Sequence, residues 1–308
     1  MLASIFGKSR PINYVIIGGL LLLCYVLYII SGQPTGGLLQ ISLFTGLFLL
    51  LAASLFLTGF ITRKNNLSRQ NTYALFFLLL FFIQFPTTFV NNNVIIANFL
   101  ILLSLRRLVS LQSLITPKEK IFDASFWIFI ATLFHFWCIL FIVLVYISII
   151  FHAAGDYRNW IIPLIALFAA TMLYAMVGLM IGHDFLEHLR QGATVSFDFT
   201  YFESIYQNIA LALFVPLALL FLVTYSISIA GKSLNLQPSH KKIMFAFITG
   251  VCIYVLSSGK NNSFLAFTFA PMAIMGANFI ENQKIPWIRE TSLLLITAIA
   301  FFIFIMQL

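Results

Sequence analysis

The segment 183–208, HDFLEHLRQGATVSFDFTYFESIYQN, gathers most of the side chains in this sequence that could do chemistry. On a helix, four-residue spacing brings His183 beside Glu187 and Asp184 beside His188. An imidazole and a carboxylate so placed can share a proton. Alternatively, His183, Glu187 and His188 can ligate a divalent cation. The spacing is not that of the zinc-protease HExxH, and His183 and His188, five apart, do not share one face. The plainer reading is a solvated amphipathic helix on a membrane surface, held by two side-chain pairs. Arg190, Asp198 and Glu203 lie in the same segment and are candidates to contact a polar substrate. The run DFTYFESIY, aromatics beside two acids, reads as an interfacial helix or a lid.

Two further residues stand out by their surroundings. His135 interrupts the apolar run ATLFHFWCILF. An ionisable side chain at membrane depth is a functional candidate by default, which sets His135 beside Asp184 and Glu187 as possible catalytic groups. Its bland alternative is a ring nitrogen bonded to a neighbouring carbonyl. Lys260, in SSGKNN, could join Arg190 in holding a lipid phosphate, or could simply be a loop lysine reaching headgroups. Asn91, Asn92, Asn93 and Asn98 could bind a sugar, although a polar turn and an inter-helix amide are the plainer roles. Arg106, Arg107, Lys118 and Lys120 form a basic cluster, read as a topology and lipid-binding feature or as a docking point for a cytoplasmic partner. The three cysteines, Cys24, Cys138 and Cys252, lie apart within apolar runs and read as packing residues.

The elements that carry these residues are hydrophobic helices. Of the 308 residues, 61% are hydrophobic and 8% charged, and the mean hydropathy is +1.03. Soluble proteins carry roughly 25% charged residues, so the whole chain reads as one polytopic all-α membrane domain, 1–308. The net charge of +8 sits in short loops beside apolar runs, where it sets topology and meets lipid headgroups. It does not form the exposed basic groove that nucleic acid needs, and the phenylalanines are packing and lipid-facing residues. The first apolar run, from about residue 12 to 30, is too long for a signal-peptide core and reads as a retained span.

The segment 116–153 decides the topology. Thr116-Pro117-Lys118-Glu119 predicts a capped helix start, with Thr116 as cap and Pro117 at the first helical position. About 30 mostly apolar residues follow, against roughly 20 for one helical crossing. A hairpin of two short helices turning near His135-Phe136-Trp137 leaves only Arg190 and Lys260, of the 17 basic residues, on the outer side. A single crossing would move Arg158, Lys232, Lys241, Lys242, Lys284 and Arg289 outside. The positive-inside rule therefore selects the hairpin. The expectation is about eleven transmembrane helices, with the N-terminus cytoplasmic, the C-terminus outside and an outer amphipathic loop over 183–208. The stretch LVSLQSLI after Arg107 is expected to lie along the headgroups.

The paired short helices of IFDASFWIFIATLFHFWCILFIVLVYISIIF resemble those of the GT-C class of integral membrane glycosyltransferases. SSGKNNSFLAFTFAPMAIMGANFIE resembles the closing region of that class. The chain as a whole is similar to an uncharacterised family of polytopic bacterial membrane proteins, a domain of unknown function. The GT-C resemblance implies a GT-C-like helical bundle in a bacterial inner membrane. It also implies a polyprenyl-phosphate-linked glycan as substrate from the outer side, and an acid in the first outer loop. That loop here, SGQPTGG, holds none, and no Asp or Glu precedes Glu119.

Three functions therefore stand open. The first is binding or processing of a polyprenyl-phosphate-linked glycan, as a glycosyltransferase if catalytic. The second is a non-catalytic subunit or scaffold of a cell-envelope assembly or export complex, with membrane-protein partners. The third is a transporter or flippase, which the scarcity of mid-span charges and the lack of an inverted repeat disfavour.

Overall fold

The computed structural model describes residues 2–32, 37–181, 192–197 and 205–308. Among these the chain is helical, apart from loops and one antiparallel bridge between Val195 and Ser257. A short α1 (Leu2–Phe6) precedes α2 (Pro11–Gly32), α3 (Leu38–Lys64), α4 (Tyr73–Gln84), α5 (Asn92–Ser110) and α6 (Pro117–Phe134). Then follow α7 (Phe141–His152), α8 (Arg158–Ile181), α9 (Ile205–Ile229), α10 (Gln237–Leu256), α11 (Ala266–Asn282) and α12 (Pro286–Gln307). Eight of these, α2, α3, α5 and α8 to α12, are long and apolar enough to cross a membrane. The protein is a multi-pass membrane protein. The other three expected crossings fall on shorter or more charged helices, α4, α6 and α7.

Hydrogen bonds sort the loops into two ends. At one end Asn13 Nδ2 reaches Thr72 Oγ1 (3.3 Å), Asn278 Nδ2 reaches the Leu67 carbonyl (2.8 Å) and Gln112 Nε2 reaches the Asn235 carbonyl (2.9 Å). Lys118 pairs there with Asp156 at 3.1 Å. At the other end Gln84 Nε2 reaches the Ala210 carbonyl (3.1 Å), Asn91 Nδ2 reaches Ser263 (2.9 Å) and His135 meets Ser257 (2.9 Å). Successive helices from α2 onward therefore run in alternating directions. The first end carries nearly all the lysines and arginines and is called the basic end below.

The hairpin is present. α6 leaves the basic end and α7 returns to it, joined by the 3-10 turn Phe136–Leu140. Neither glycine nor proline makes the reversal. His135, in extended conformation (φ −146°, ψ 106°), breaks the helix. Pro117 starts α6 as its fixed φ and missing N–H dictate, but Thr116 does not cap it. Thr116 is left-handed (φ 43°), and its side chain makes no capping bond. The segment after Arg107 also differs from expectation. α5 continues to Ser110, and Leu108, Val109 and Leu111 are buried, because the second face of this stretch has protein rather than headgroups to pack on.

α4 is the centre of the bundle. All of its residues are buried, among α2, α3, α11 and α12. A helix apolar on every side must be enclosed by protein or lipid. One enclosed by protein need not match the bilayer with its own length. Its rings, with that of Phe85 just past its end, lock into neighbours edge to face: Phe77 on Phe221 (5.5 Å), Phe81 and Phe85 on Phe214 (5.6 and 5.2 Å). α11 is nearly as enclosed, with 89% of its apolar window buried.

Candidate functional site

The tip of the hairpin rests on the end of α10 that lies away from the basic end. Because His135 leaves the helix there, its imidazole is carried sideways onto Ser257, where α10 stops. Ser257 Oγ donates its one proton to the Ile253 carbonyl (2.6 Å), so it must accept from His135 Nε2 at 2.9 Å. This assigns the imidazole proton to Nε2. The ring lies against Phe264 and Phe267, with centroids 4.7 and 5.4 Å away.

Residues 192–197 close over this tip. Val195 bridges to Ser257, the Ser196 N–H reaches the Leu256 carbonyl (3.4 Å), and Thr194 Oγ1 donates to Ser258 Oγ (2.8 Å). A Cβ on Gly192 would stand 3.1 Å from Phe136 Cβ, so the backbone approaches the tip as closely as glycine permits. Lys260 follows the left-handed Gly259 (φ 58°), is 4% exposed, and donates from Nζ to the Ser196 carbonyl. It fastens the 192–197 segment to the turn before α11.

Between tip and segment lies a hollow of about 200 Å³, walled by Phe134, His135, Phe136, Trp137, Phe264 and the Ser257–Ser258 turn. Its chemistry is aromatic, with hydroxyls and an imidazole. Trp137 is part of the wall, and its buried Nε1 has no acceptor among the described residues. An indole N–H in that position costs free energy until something accepts from it.

His135 and Lys260 thus come to one end of the bundle, although Lys260 does not line the hollow. His183, Asp184, Glu187, His188, Arg190, Asp198 and Glu203 lie outside the described residues, and so does the expected divalent-cation site. Among the described residues no group of three or more His, Cys, Asp or Glu is placed to hold a metal. Of the described carboxylates, Asp123 pairs with Arg107 (2.7 Å) and Asp156 with Lys118. Glu281 accepts from the Arg69 N–H and Asn71 Nδ2 (2.6 Å), and Glu290 accepts from the first N–H groups of α1. These four hold loops and helix ends at the basic end.

The sequence marks Trp137 only as part of the hairpin turn and gives Ser257 and Ser258 no role. The signal available was the hydroxyl pair opening the SSGKNN turn; their pairing with a histidine 122 positions away was not legible.

The chain matches, over residues 1–308, the family described as "Family of unknown function (DUF6427)", and it belongs to that family. No curated protein and no solved structure matches it.

Proposed function

We propose that this member of the DUF6427 family binds, rather than processes, a lipid-linked glycan of the polyprenyl-phosphate class at the hairpin tip. The observation that carries the reading is an aromatic, hydroxyl-lined hollow with Trp137 in its wall, whose buried N–H has no acceptor among the described residues. Sugar hydroxyls supply the missing acceptor, and aromatic faces pack on sugar C–H surfaces. Binding is favoured over turnover because His135 Nε2 already donates to Ser257 and the Ser257 hydroxyl proton is committed to Ile253. Arg190 and Asp198 flank the closing segment in sequence. With Glu203 they are the charged groups that this reading sets against the phosphate and the glycan, while Lys260 holds the segment between them in place. The likeness to the GT-C class on which this reading draws is one of sequence, over the stretch that forms α6 and α7. With α4 they bring the crossings to about eleven in a bacterial inner membrane.

The test is binding of a short-chain polyprenyl-phosphate sugar to the purified protein in nanodiscs. Trp137→Phe keeps the ring and removes the N–H, and should weaken binding about tenfold. Release of free sugar from the bound ligand would contradict the non-catalytic part. Absence of saturable binding by the wild type would end the reading.

A second reading, a non-catalytic subunit of an envelope assembly, is favoured by the use of both His135 and Lys260 as fasteners between segments. It expects a stoichiometric membrane-protein partner in gentle detergent and no retained isoprenoid phosphate.

A further inference from the structure

The basic end holds a second cavity, of about 550 Å³, between the end of α3, the end of α5 and the turn that leads into α6. Phe60, Lys64, Asn66, Arg106, Arg107 and Lys120 line it, together with hydroxyls and amides of the α5–α6 turn. We propose that this cavity is a binding site for a phosphate-bearing anion, at the opposite end of the molecule from the hairpin-tip hollow and independent of the reading given to that hollow.

Four cations, Lys64, Arg106, Arg107 and Lys120, line this one cavity. The guanidinium of Arg106 lies 4.8 Å from the Phe60 ring centroid and the Lys64 ammonium 5.1 Å from the same centroid. One ring therefore steadies two like charges without neutralising either. Arg107 has a carboxylate partner, Asp123. Among the described residues no salt bridge is formed by Lys64, Arg106 or Lys120. Lys120 is only 9% exposed, and its Nζ donates to the Ser110 carbonyl (2.9 Å) and Ser113 Oγ (2.7 Å). An ammonium has three donors, so one remains. Like charges gathered at a protein surface raise the local positive potential and so favour an anion among them.

Backbone strain points to the same place. Among the described residues the non-glycine positions with positive φ are Asn66 (52°), Leu114 (53°) and Thr116 (43°). Asn66 lines the cavity, Leu114 lies between the lining residues Ser113 and Ile115, and Thr116 follows Ile115. Asparagine tolerates this region, but a leucine and a β-branched threonine do not adopt it readily. Such strain gathers where a fold holds a loop for a ligand. Three cations and a steadying ring suit the three oxygens of a phosphate better than a single carboxylate. The phosphate can belong to a lipid headgroup or to a water-soluble phosphate.

Two arms separate those sources, both with the full chain in phosphatidylcholine nanodiscs. In one, inorganic pyrophosphate is titrated calorimetrically. In the other, the discs contain phosphatidic acid, and the lipid retained through detergent exchange is counted by mass spectrometry. Saturable binding of pyrophosphate at one site per chain identifies a soluble phosphate. Selective retention of phosphatidic acid without pyrophosphate binding identifies a headgroup. In the arm that binds, Lys64→Gln with Arg106→Gln should weaken binding by about ten- to a hundredfold. Lys64→Arg should keep it. If the double variant does not fold, Lys64→Gln alone, at an exposed helix end, should still cost about tenfold. The proposal is overturned if the wild type binds in neither arm, or if a folded Gln variant binds as tightly as the wild type.

Discussion

Asp156 and Lys242 show two ways in which a single charge holds this bundle at its basic end. The Asp156 carboxylate accepts first from the Arg158 N–H (3.0 Å) and then from the Lys118 ammonium, and these hold its carboxyl below the ordinary value. A depressed carboxyl stabilises the fold above its ordinary range and loses that contribution as pH falls through its lowered value. The clasp between the start of α6 and the α7–α8 loop should therefore loosen on acidification. The protection factor at 153–159, measured against the intrinsic exchange rate at each pH, should fall in wild type as the pH drops through the carboxylate range, and Asp156→Asn should show the same low protection at neutral pH. Lys242 works in the opposite surroundings. It is fully buried and donates to the Leu108 carbonyl at 2.6 Å, adding a second donor to the Leu111 N–H that this carbonyl accepts in the last turn of α5. Lys242→Ala should cost about 2–4 kcal/mol, from the lost bond and the emptied space of its stem. Lys242→Met keeps the stem, so whatever loss it retains in a denaturation series measures the bond.

At the scale of elements, the question is what lets apolar helices recognise one another when lipid is equally apolar. Close approach at small residues is one answer. A Cβ on Gly250 of α10 would lie 2.9 Å from Thr268 Cγ2 and 3.0 Å from the Phe267 carbonyl oxygen of α11. A backbone atom cannot turn aside, so the helices would have to part. Gly46, within α3, has open space around its Cβ position. Gly250→Ala should lower stability by about 1–3 kcal/mol. Gly46→Ala should leave it unchanged or raise it by about 0.5–1 kcal/mol. Melting both variants in the same detergent checks the pair, and equal effects would remove the packing argument. The hairpin obeys a similar logic, since its tip is held by what it touches. Its reversal at His135 was legible as an ionisable residue inside an apolar run. The means of reversal, an extended residue fastened to Ser257, was not.

At the scale of the whole molecule, the alternation of helix direction places 155 and 234 at one end and 194 at the other. Cysteines placed at Gly155, at Leu234 (82% exposed) and at Thr194 test it, in a background with Cys24, Cys138 and Cys252 replaced by alanine. The positive-inside rule predicts that the basic end faces the cytoplasm. An impermeant thiol reagent applied to intact cells should label the cysteine at 194 and spare those at 155 and 234. Labelling at 155 with protection at 194 would reverse the orientation. Labelling at both would break the alternation itself.

The sequence alone determined the class of this protein, the direction of its charge bias and the places where its helices start and turn. Hydropathy, proline at Pro117, the Asn91 turn and the break at His135 are local signals, and local chemistry is enough to set them. Only the tertiary structure decided which helices are interior. α4 and α11 are enclosed while α2 and α8 face outward, yet all four are apolar. Lipid tails and protein cores ask for the same residues, so apolarity carries no record of which neighbour will arrive. The same reason hid the burial of Lys242 and Lys260, both of which read as ordinary basic loop or flank residues. It also hid the arrival of Lys64 beside Arg106 and Lys120 at one cavity, because the end of α3 meets the α5–α6 turn only when the bundle closes.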